Sequence, residues 1–348
     1  MGLFDGHGKF GKNVVEYCVE FMTNFFNNSS FLEDPARMVH EMMIQCDESL
    51  REESNIDVKN SGAAAVVLFV SDKGIVVGNV GDSRGVLATS IPQERDHEPD
   101  ISNPYVRTFE CARQLYPVQL TTDHKPNHEG EIERIVSAGG IVQKISNEMG
   151  ERVGPFRVWV RGKNKPGLAM SRALGDGLAK TVGVVANPTI HEFPFCYTAD
   201  QFIVIGSDGL WDVFPNSHAV NFVEKFRKKC LQELNASATY PVKPRNSTVA
   251  HLLAEEARYR WLGICEDEDV PIDDISVVVL EIVNPPPTGD FNRLAGARRI
   301  ERLVSFEDVP HNESTEYAVD KRVDVDRKSQ VISKPDRQET AVSNEEII

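Results

Sequence analysis

The 348-residue chain has no apolar run long enough to cross a bilayer as a helix; the longest, Ala63 to Val70, is strand-sized, against the ~20 residues a span requires. Its first residues do not read as a signal peptide, since Asp5 and His7 interrupt them and no basic region precedes. Gly6 stands where an N-myristoylation signal needs Ser or Thr. Cysteine is sparse: six residues, at positions 18, 46, 111, 196, 230 and 265, with no Cys-x-x-Cys pair. That excludes a dense disulfide framework and reads as reduced thiols in a reducing compartment, so the expected location is intracellular, cytoplasmic or nuclear. Positive charge is short, 38 Lys and Arg against 53 Asp and Glu for a net −15. The resulting field disfavours nucleic acid and anionic membrane as partners. Neither a GxxxxGK[ST] nor a GxGxxG loop follows a strand, which removes the common nucleotide-binding signatures.

What the chain does have is a 41% hydrophobic composition, enough for a real core, and aspartates at the ends of its apolar runs. Asp5 lies in Phe4-Asp5-Gly6-His7-Gly8, Asp82 in Gly81-Asp82-Ser83-Arg84, Asp208 in Ser207-Asp208-Gly209, and Asp273-Asp274 precede Ile275-Ser276-Val277. Carboxylates at strand ends converge easily on one rim of a sheet. They repel each other there unless hard cations sit between them. The residues alone therefore suggest a hydrolytic site holding several Mg²⁺ or Mn²⁺ ions.

Lys12 to Phe26 carries apolar residues at Val14, Val15, Cys18, Val19, Met22, Phe25 and Phe26, the spacing of a helix with a polar back. Pro35 to Arg51 reads as a second amphipathic helix, with Pro35 at its first position and Asp34 as cap. Ala63 to Val70 and Ile75 to Val80 are β-branched runs joined as a hairpin, with Gly85 to Thr89 the next strand. Ser90 to Leu115 is polar and proline-bearing and reads as a surface insertion spanning about residues 90–116. Further helices are expected at Glu129 to Ala138, Ser217 to Leu234 (capped by Asn216) and Val249 to Leu262. Further strands are expected at Ile141 to Ile145, Phe156 to Val160, Leu168 to Met170, Gln201 to Gly206 and Ile275 to Val283. After Pro285-Pro286-Pro287, residues 285–348 read as a disordered polar tail behind a domain of residues 1–284. Strands and helices cluster without βαβ alternation, which favours an α+β fold of antiparallel sheets with helices packed outside.

Each aspartate motif alone is a common turn, but an ordered set is not. Phe4-Asp5-Gly6-His7-Gly8, Asn79-Val80-Gly81-Asp82-Ser83-Arg84, Thr122-Asp123-His124-Lys125-Pro126, Met170-Ser171-Arg172-Ala173-Leu174-Gly175-Asp176, Ser207-Asp208-Gly209-Leu210-Trp211-Asp212 and Asp273-Asp274-Ile275-Ser276 follow in sequence. In this order the chain, from residue 2 to about 283, resembles the metal-dependent type 2C protein serine/threonine phosphatases. The resemblance implies a β-sandwich of two antiparallel sheets flanked by α-helices. It also implies hydrolysis of phosphoserine and phosphothreonine in phosphoprotein substrates by a monomer using two Mg²⁺ or Mn²⁺ ions, with a third, weaker ion. By motif, Asp5 resembles the carboxylate bridging the two ions, and Gly6 would lend a backbone carbonyl. Asp208 and Asp273 resemble the remaining ligands, and Asp82 and Asp212 ligands of the weaker ion. His7 occupies the place of a candidate general acid. Asp274 stands where many members carry Asn. Arg172 and Asp176 read as a structural turn with a buried pair, His124 and Lys125 as turn chemistry, and Trp159, Trp211 and Trp261 as core or rim aromatics.

The chemistry suits these residue types. Phosphate monoesters hydrolyse very slowly in water. Paired divalent ions lower the pKa of a bridging water and orient it for in-line attack. Hard ions take oxygen ligands. A histidine titrating near neutrality can protonate the leaving serine alkoxide. Against the family pattern, only Met1 to Phe4 precede the first motif, where members carry further strands, an acidic residue and a phosphate-gripping arginine. The reading is therefore of an N-terminally truncated domain, with two outcomes open: a shortened version of a competent phosphatase, or a weakly active or inactive pseudophosphatase that binds phosphoproteins or a partner.

Overall fold

Period-two alternation sorts the side chains of the main strands onto two faces, and here both faces are buried. The computed structural model describes residues 1–28, 33–52, 55–71, 74–92, 114–147, 149–196, 198–236, 248–268 and 272–282. In β2 (Gly62–Val70) and β3 (Ile75–Val80), Ala63, Ala65, Val67, Val76 and Val80 point one way, while Val66, Leu68, Ile75 and Val77 point the other. In β4 (Arg84–Thr89), β11 (Asp200–Gly206) and β12 (Val277–Glu281), Val86, Phe202, Val204, Val277 and Val279 face one side, and Leu87, Ile203, Ile205 and Val278 the other. Strands with two apolar faces need cover on both.

The cover comes in layers. One antiparallel sheet runs β1 (Gly2–His7), β2, β3, β10 (Thr189–Phe193), with the two-residue β9 (Leu174–Gly175) also paired to β2. The other runs β12, β11, β4, β5 (Tyr116–Gln119). Leu3, Val66, Leu68 and Val77 of the first sheet meet Leu87, Ile203, Ile205 and Val278 of the second in one buried cluster. Outside the first sheet pack α1 (Gly11–Asn28) and α2 (Pro35–Glu52), through Val14, Cys18, Val39, Met43, Cys46 and Leu50. Outside the second pack α6 (Asn216–Ala236) and α7 (Val249–Glu268), through Val220, Val223, Leu253 and Ala257. The result is a helix–sheet–sheet–helix sandwich, the α+β class expected from the sequence. A third sheet of β6 (Gly140–Ser146), β7 (Arg152–Val160) and β8 (Pro166–Leu168) has its own apolar cluster with α3 (Glu131–Ser137) and the short α4 (Gly177–Lys180), built on Ile135, Val158, Leu168 and Ala179. The turn α5 (Asp208–Trp211) follows β11.

Local chemistry explains some boundaries. Asp34 caps α2, its Oδ1 accepting from the Arg37 N–H at 3.0 Å. Asn216 does not cap α6. It is the first residue of the helix, and its side chain accepts from Arg84 Nη1 at 2.7 Å and donates to Gln119 at 3.0 Å, tying the helix to β4 and β5. Four strands were not foreseen: β1, β5, the two-residue β9, and β10. Pro117 is tolerated in β5 because that strand is an edge of its sheet. β1 is also an edge, and the Met1 ammonium donates to the Leu68 carbonyl at 2.8 Å. Residues 93–113 of the expected insertion, and the expected tail of residues 285–348, lie outside the described residues. No helix among the described residues is long and apolar enough to cross a membrane.

Phe202 is among the largest fully buried side chains and points into the layer between the second sheet and α6/α7. Phe202→Ala should cost about 3–5 kcal/mol, as large-to-small changes in a packed core do. Exposed Val136→Ser should change stability by less than about 0.5 kcal/mol. Denaturant unfolding followed by circular dichroism checks both.

Candidate active site

Six strand ends meet at one rim of the sandwich. His7 at the end of β1 is opposite Gly62 at the start of β2, and Val80 ends β3 opposite Ala65. Gly206 ends β11 opposite both Arg84, which starts β4, and Val277, which starts β12. Asp5 is therefore near the rim end of β1, Asp82 in the turn that carries the chain from the first sheet to the second, Asp208 directly after β11, and Asp273 just before β12. The Gly81 φ of +95° is a left-handed conformation that only glycine adopts without strain, and a Cβ there would lie 2.6 Å from that of Ala64. Ser207 locks two of these segments together. Its Oγ donates to the Asp274 carbonyl at 3.0 Å and accepts from the Ser276 N–H at 3.0 Å. Trp211 Nε1 donates to the Arg84 and Gly206 carbonyls at 3.1 and 3.0 Å, and Trp261 Nε1 to the Gly209 carbonyl at 2.7 Å. These indoles brace the Asp208 corner.

The carboxylates feel one another. Loss of water and the charges of Asp273 and Asp82 push Asp5 up to about 7. Loss of water and the charges of Asp82, Asp273 and Asp5 push Asp208 up to about 9. Asp212 and Asp273 are raised too, first by partial desolvation and then by their neighbours, with Lys125 opposing. Asp82 is the common neighbour in all four cases. Gly6 sits between Asp5 and His7 on the same strand, its Cα hydrogens facing the start of α1 at Gly11.

Two partnerships were not legible in the sequence. His7 Nε2 is 2.6 Å from Asp176 Oδ2. Burial pulls the imidazole pKa down, but the hydrogen bond and charge of Asp176, with Asp5 and Asp82 beyond, outweigh it and raise the net value. Arg172, read from sequence as the partner of Asp176, binds Glu131 instead, Nη2 to Oε1 at 2.7 Å. The second concerns the turn at Asp82. Arg84 pairs with Asp123 through two contacts at 2.5 and 3.1 Å and lies 5.3 Å from the Trp211 ring. Asp82 pairs with Lys125, Nζ to Oδ2 at 2.6 Å. The Gly81 N–H donates to His124 Nδ1 at 3.1 Å, and the His124 N–H to the Gly81 carbonyl at 3.0 Å. Burial, then the Arg172 charge, lowers the His124 pKa to about 3. That keeps the ring neutral, its Nδ1 an acceptor and its Nε2–H donated to Thr189 at 2.8 Å. Residues 123–125 thus form a brace along the turn that presents Asp82.

The donor set fits hard divalent cations: carboxylate oxygens, with mutual repulsion that a cation would relieve. Asp82 Oδ1 is buried with no hydrogen-bond partner among the described residues, an orphaned acceptor of the kind an ion satisfies. The fit is of chemistry and neighbourhood. No group of three or more His, Cys, Asp or Glu side chains among the described residues is already gathered to hold an ion.

With this geometry established, comparisons with known proteins agree on a family. The family profile described as "Protein phosphatase 2C" matches residues 1–240. "Probable protein phosphatase 2C 61" of Arabidopsis thaliana is 32% identical over 294 residues, covering 82% of this chain and 77% of that protein. "Probable protein phosphatase 2C 48" of Oryza sativa subsp. japonica is 31% identical, covering 82% and 75%. Among solved structures, a serine-threonine phosphatase 2C from Toxoplasma gondii superposes with a TM-score of 0.58 at 21% identity, over 81% of this chain and 84% of that one. At that identity the superposition speaks for the fold.

The raised carboxylates predict how stability depends on pH. Unfolded aspartates ionise near ~4, whereas Asp5 and Asp208 in the fold hold protons up to about 7 and about 9. Between these limits the folded state binds more protons than the unfolded, so stability is greatest at the acidic end and falls as pH rises through the folded values. Thermal melts in chelator should show the midpoint falling from pH 5 to 9. Asp208→Asn should flatten the upper part of that fall, and Mn²⁺ should oppose it by binding the ionised forms.

Proposed function

This chain belongs to the protein phosphatase 2C family, a family of protein serine/threonine phosphatases generally dependent on Mg²⁺ or Mn²⁺, and we propose that it hydrolyses phosphoserine and phosphothreonine in proteins at the aspartate rim. The observation that carries the reading is the gathering of Asp5, Asp82, Asp208 and Asp273 at one edge of the sandwich, close enough that neighbouring charges raise the pKa values of Asp5, Asp208 and Asp273, beside a histidine held by its own carboxylate. When bound, Mg²⁺ or Mn²⁺ would supply an activated water and charge for the phosphoryl oxygens. In this assignment Asp5, the Gly6 carbonyl, Asp208 and Asp273 would hold the paired ions, and Asp82 and Asp212 would serve a third, weaker one.

His7 is the proton donor. Its Nε2 faces Asp176 at 2.6 Å, and a ring nitrogen facing a carboxylate carries its hydrogen there. That leaves Nδ1 for the leaving serine oxygen. Nδ1 carries a proton only in the imidazolium, the form that Asp176 and Asp5 favour. Asp176 is thus a positioning residue: it fixes the ring and keeps it charged. Gly62 permits this approach, since a Cβ there would collide with the Asp176 carboxylate. A binding role without turnover, in which the rim holds a phosphoprotein or a partner, is the second reading.

Purified chain should turn over p-nitrophenyl phosphate and a phosphothreonine peptide only with Mn²⁺ or Mg²⁺, and Asp208→Asn should abolish both activities. Turnover in chelator, or full activity in that variant, contradicts the assignment, and no turnover under any metal supports the binding role. His7→Ala should slow the phosphopeptide by about 10²–10⁴-fold, the span of general acid catalysis. It should slow p-nitrophenyl phosphate far less, because that leaving group needs no proton. Asp176→Asn should show the same selectivity at smaller amplitude.

A further inference from the structure

We propose that Lys125 is a tethered counter-cation of the aspartate rim: its ammonium holds Asp82 when no divalent ion is bound, and an ion that takes Asp82 as a ligand must displace it. The proposal rests on the metal-dependent reading above. Asp82 is 1% exposed, and a carboxylate so deeply buried needs compensation for both oxygens. Oδ2 has it from Lys125 Nζ at 2.6 Å. Oδ1 has no partner among the described residues. A purely structural pair would satisfy both oxygens, as Asp123 does with Arg84 through its two contacts. The half-satisfied Asp82 is arranged for a second positive charge.

Lys125 is built to yield. Its backbone is fixed, because the neighbouring His124 exchanges hydrogen bonds with Gly81 through its main chain and ring. Its side chain is a flexible stem ending in a compact charge, and a quarter of it is exposed to water, which gives the ammonium somewhere to go. Its field also reaches Asp208, Asp212 and Asp273, opposing the repulsion at each. One lysine therefore does electrostatically, and weakly, what ions would do at the rim. An ion at Asp82 meets a resident competitor, so the outer site is the weakest of the set.

The test uses the full chain and Mn²⁺. In calorimetric titration of wild type, we expect at least two classes of Mn²⁺ site. In Lys125→Met the weakest class should tighten about tenfold, within the 5–150-fold usual for coupled binding events, while the stronger class changes little. Melts of the variant should be lower than wild type in chelator and gain more on adding Mn²⁺. Unchanged or weaker binding at the weak class overturns the proposal and leaves Lys125 as a structural pair. Should the variant not fold, wild type carries the test. Acylation of Lys125 by acetic anhydride, read by mass spectrometry, should be slow in chelator and faster in saturating Mn²⁺; equal rates overturn displacement. Absence of any Mn²⁺ binding by wild type would instead sink the metal-dependent reading itself.

Discussion

Like charges held together at one rim are the constraint this fold must satisfy. Carboxylates brought close together repel one another, and such repulsion acts among Asp5, Asp82, Asp208 and Asp273. No favourable local interaction would bring these side chains together. They are neighbours because their strands are, and the strands are positioned by apolar faces that have nothing to do with the rim. Leu3 on β1 packs in the same inter-sheet cluster as Ile203, Ile205 and Val278, so burying those residues fixes where Asp5, Asp208 and Asp273 lie. The core imposes the repulsion, and protons, Lys125 or divalent ions relieve it.

The rim is then held by bonds that do not involve the carboxylates themselves. Ser207 ties the segments of Asp208 and Asp273, Trp211 and Trp261 hold the backbone on either side of Asp208, and His124 braces the turn at Asp82. Neutral hydrogen bonds and indole packing persist whatever the charge state of the aspartates. Preorganisation of this kind lets a site change its occupancy without losing its shape.

The layers of the fold were legible because apolar periodicity encodes them. The α1, α2 and α6 patterns and the β2–β3 hairpin are written in the spacing of Val, Met, Ile and Ala, and the structure follows them to within a few residues. β1 was missed because Gly2 to His7 carries two glycines and two polar residues in six; pairing with β2 along its whole length, not propensity, makes it a strand. β10 is short, and only part of it is apolar. At the site, sequence order singled out the aspartates, but it could not say which charge meets which. Arg84 passes over its near neighbour Asp82 for Asp123, Lys125 takes Asp82, and Arg172 leaves Asp176 for Glu131. Each partnership spans some forty residues or more, and nothing in local spacing reports it.

The two unforeseen partnerships are mirror images. At His7 a buried carboxylate steadies a cation; at Asp82 an ammonium steadies a buried carboxylate. The difference lies in what each is free to do. Asp176 is 2% exposed, on a short side chain that leaves a backbone in the left-handed region, φ +51°, so it has nowhere to move and its hydrogen bond persists. Lys125 reaches Asp82 along a flexible stem from a partly exposed position, so its contact is exchangeable. A residue that orients a proton donor must keep the same geometry through every turnover, whereas a residue that neutralises an ion site must give way when the ion arrives. Burial and side-chain length suit the two carboxylate partnerships to these opposite tasks in the proposed reaction.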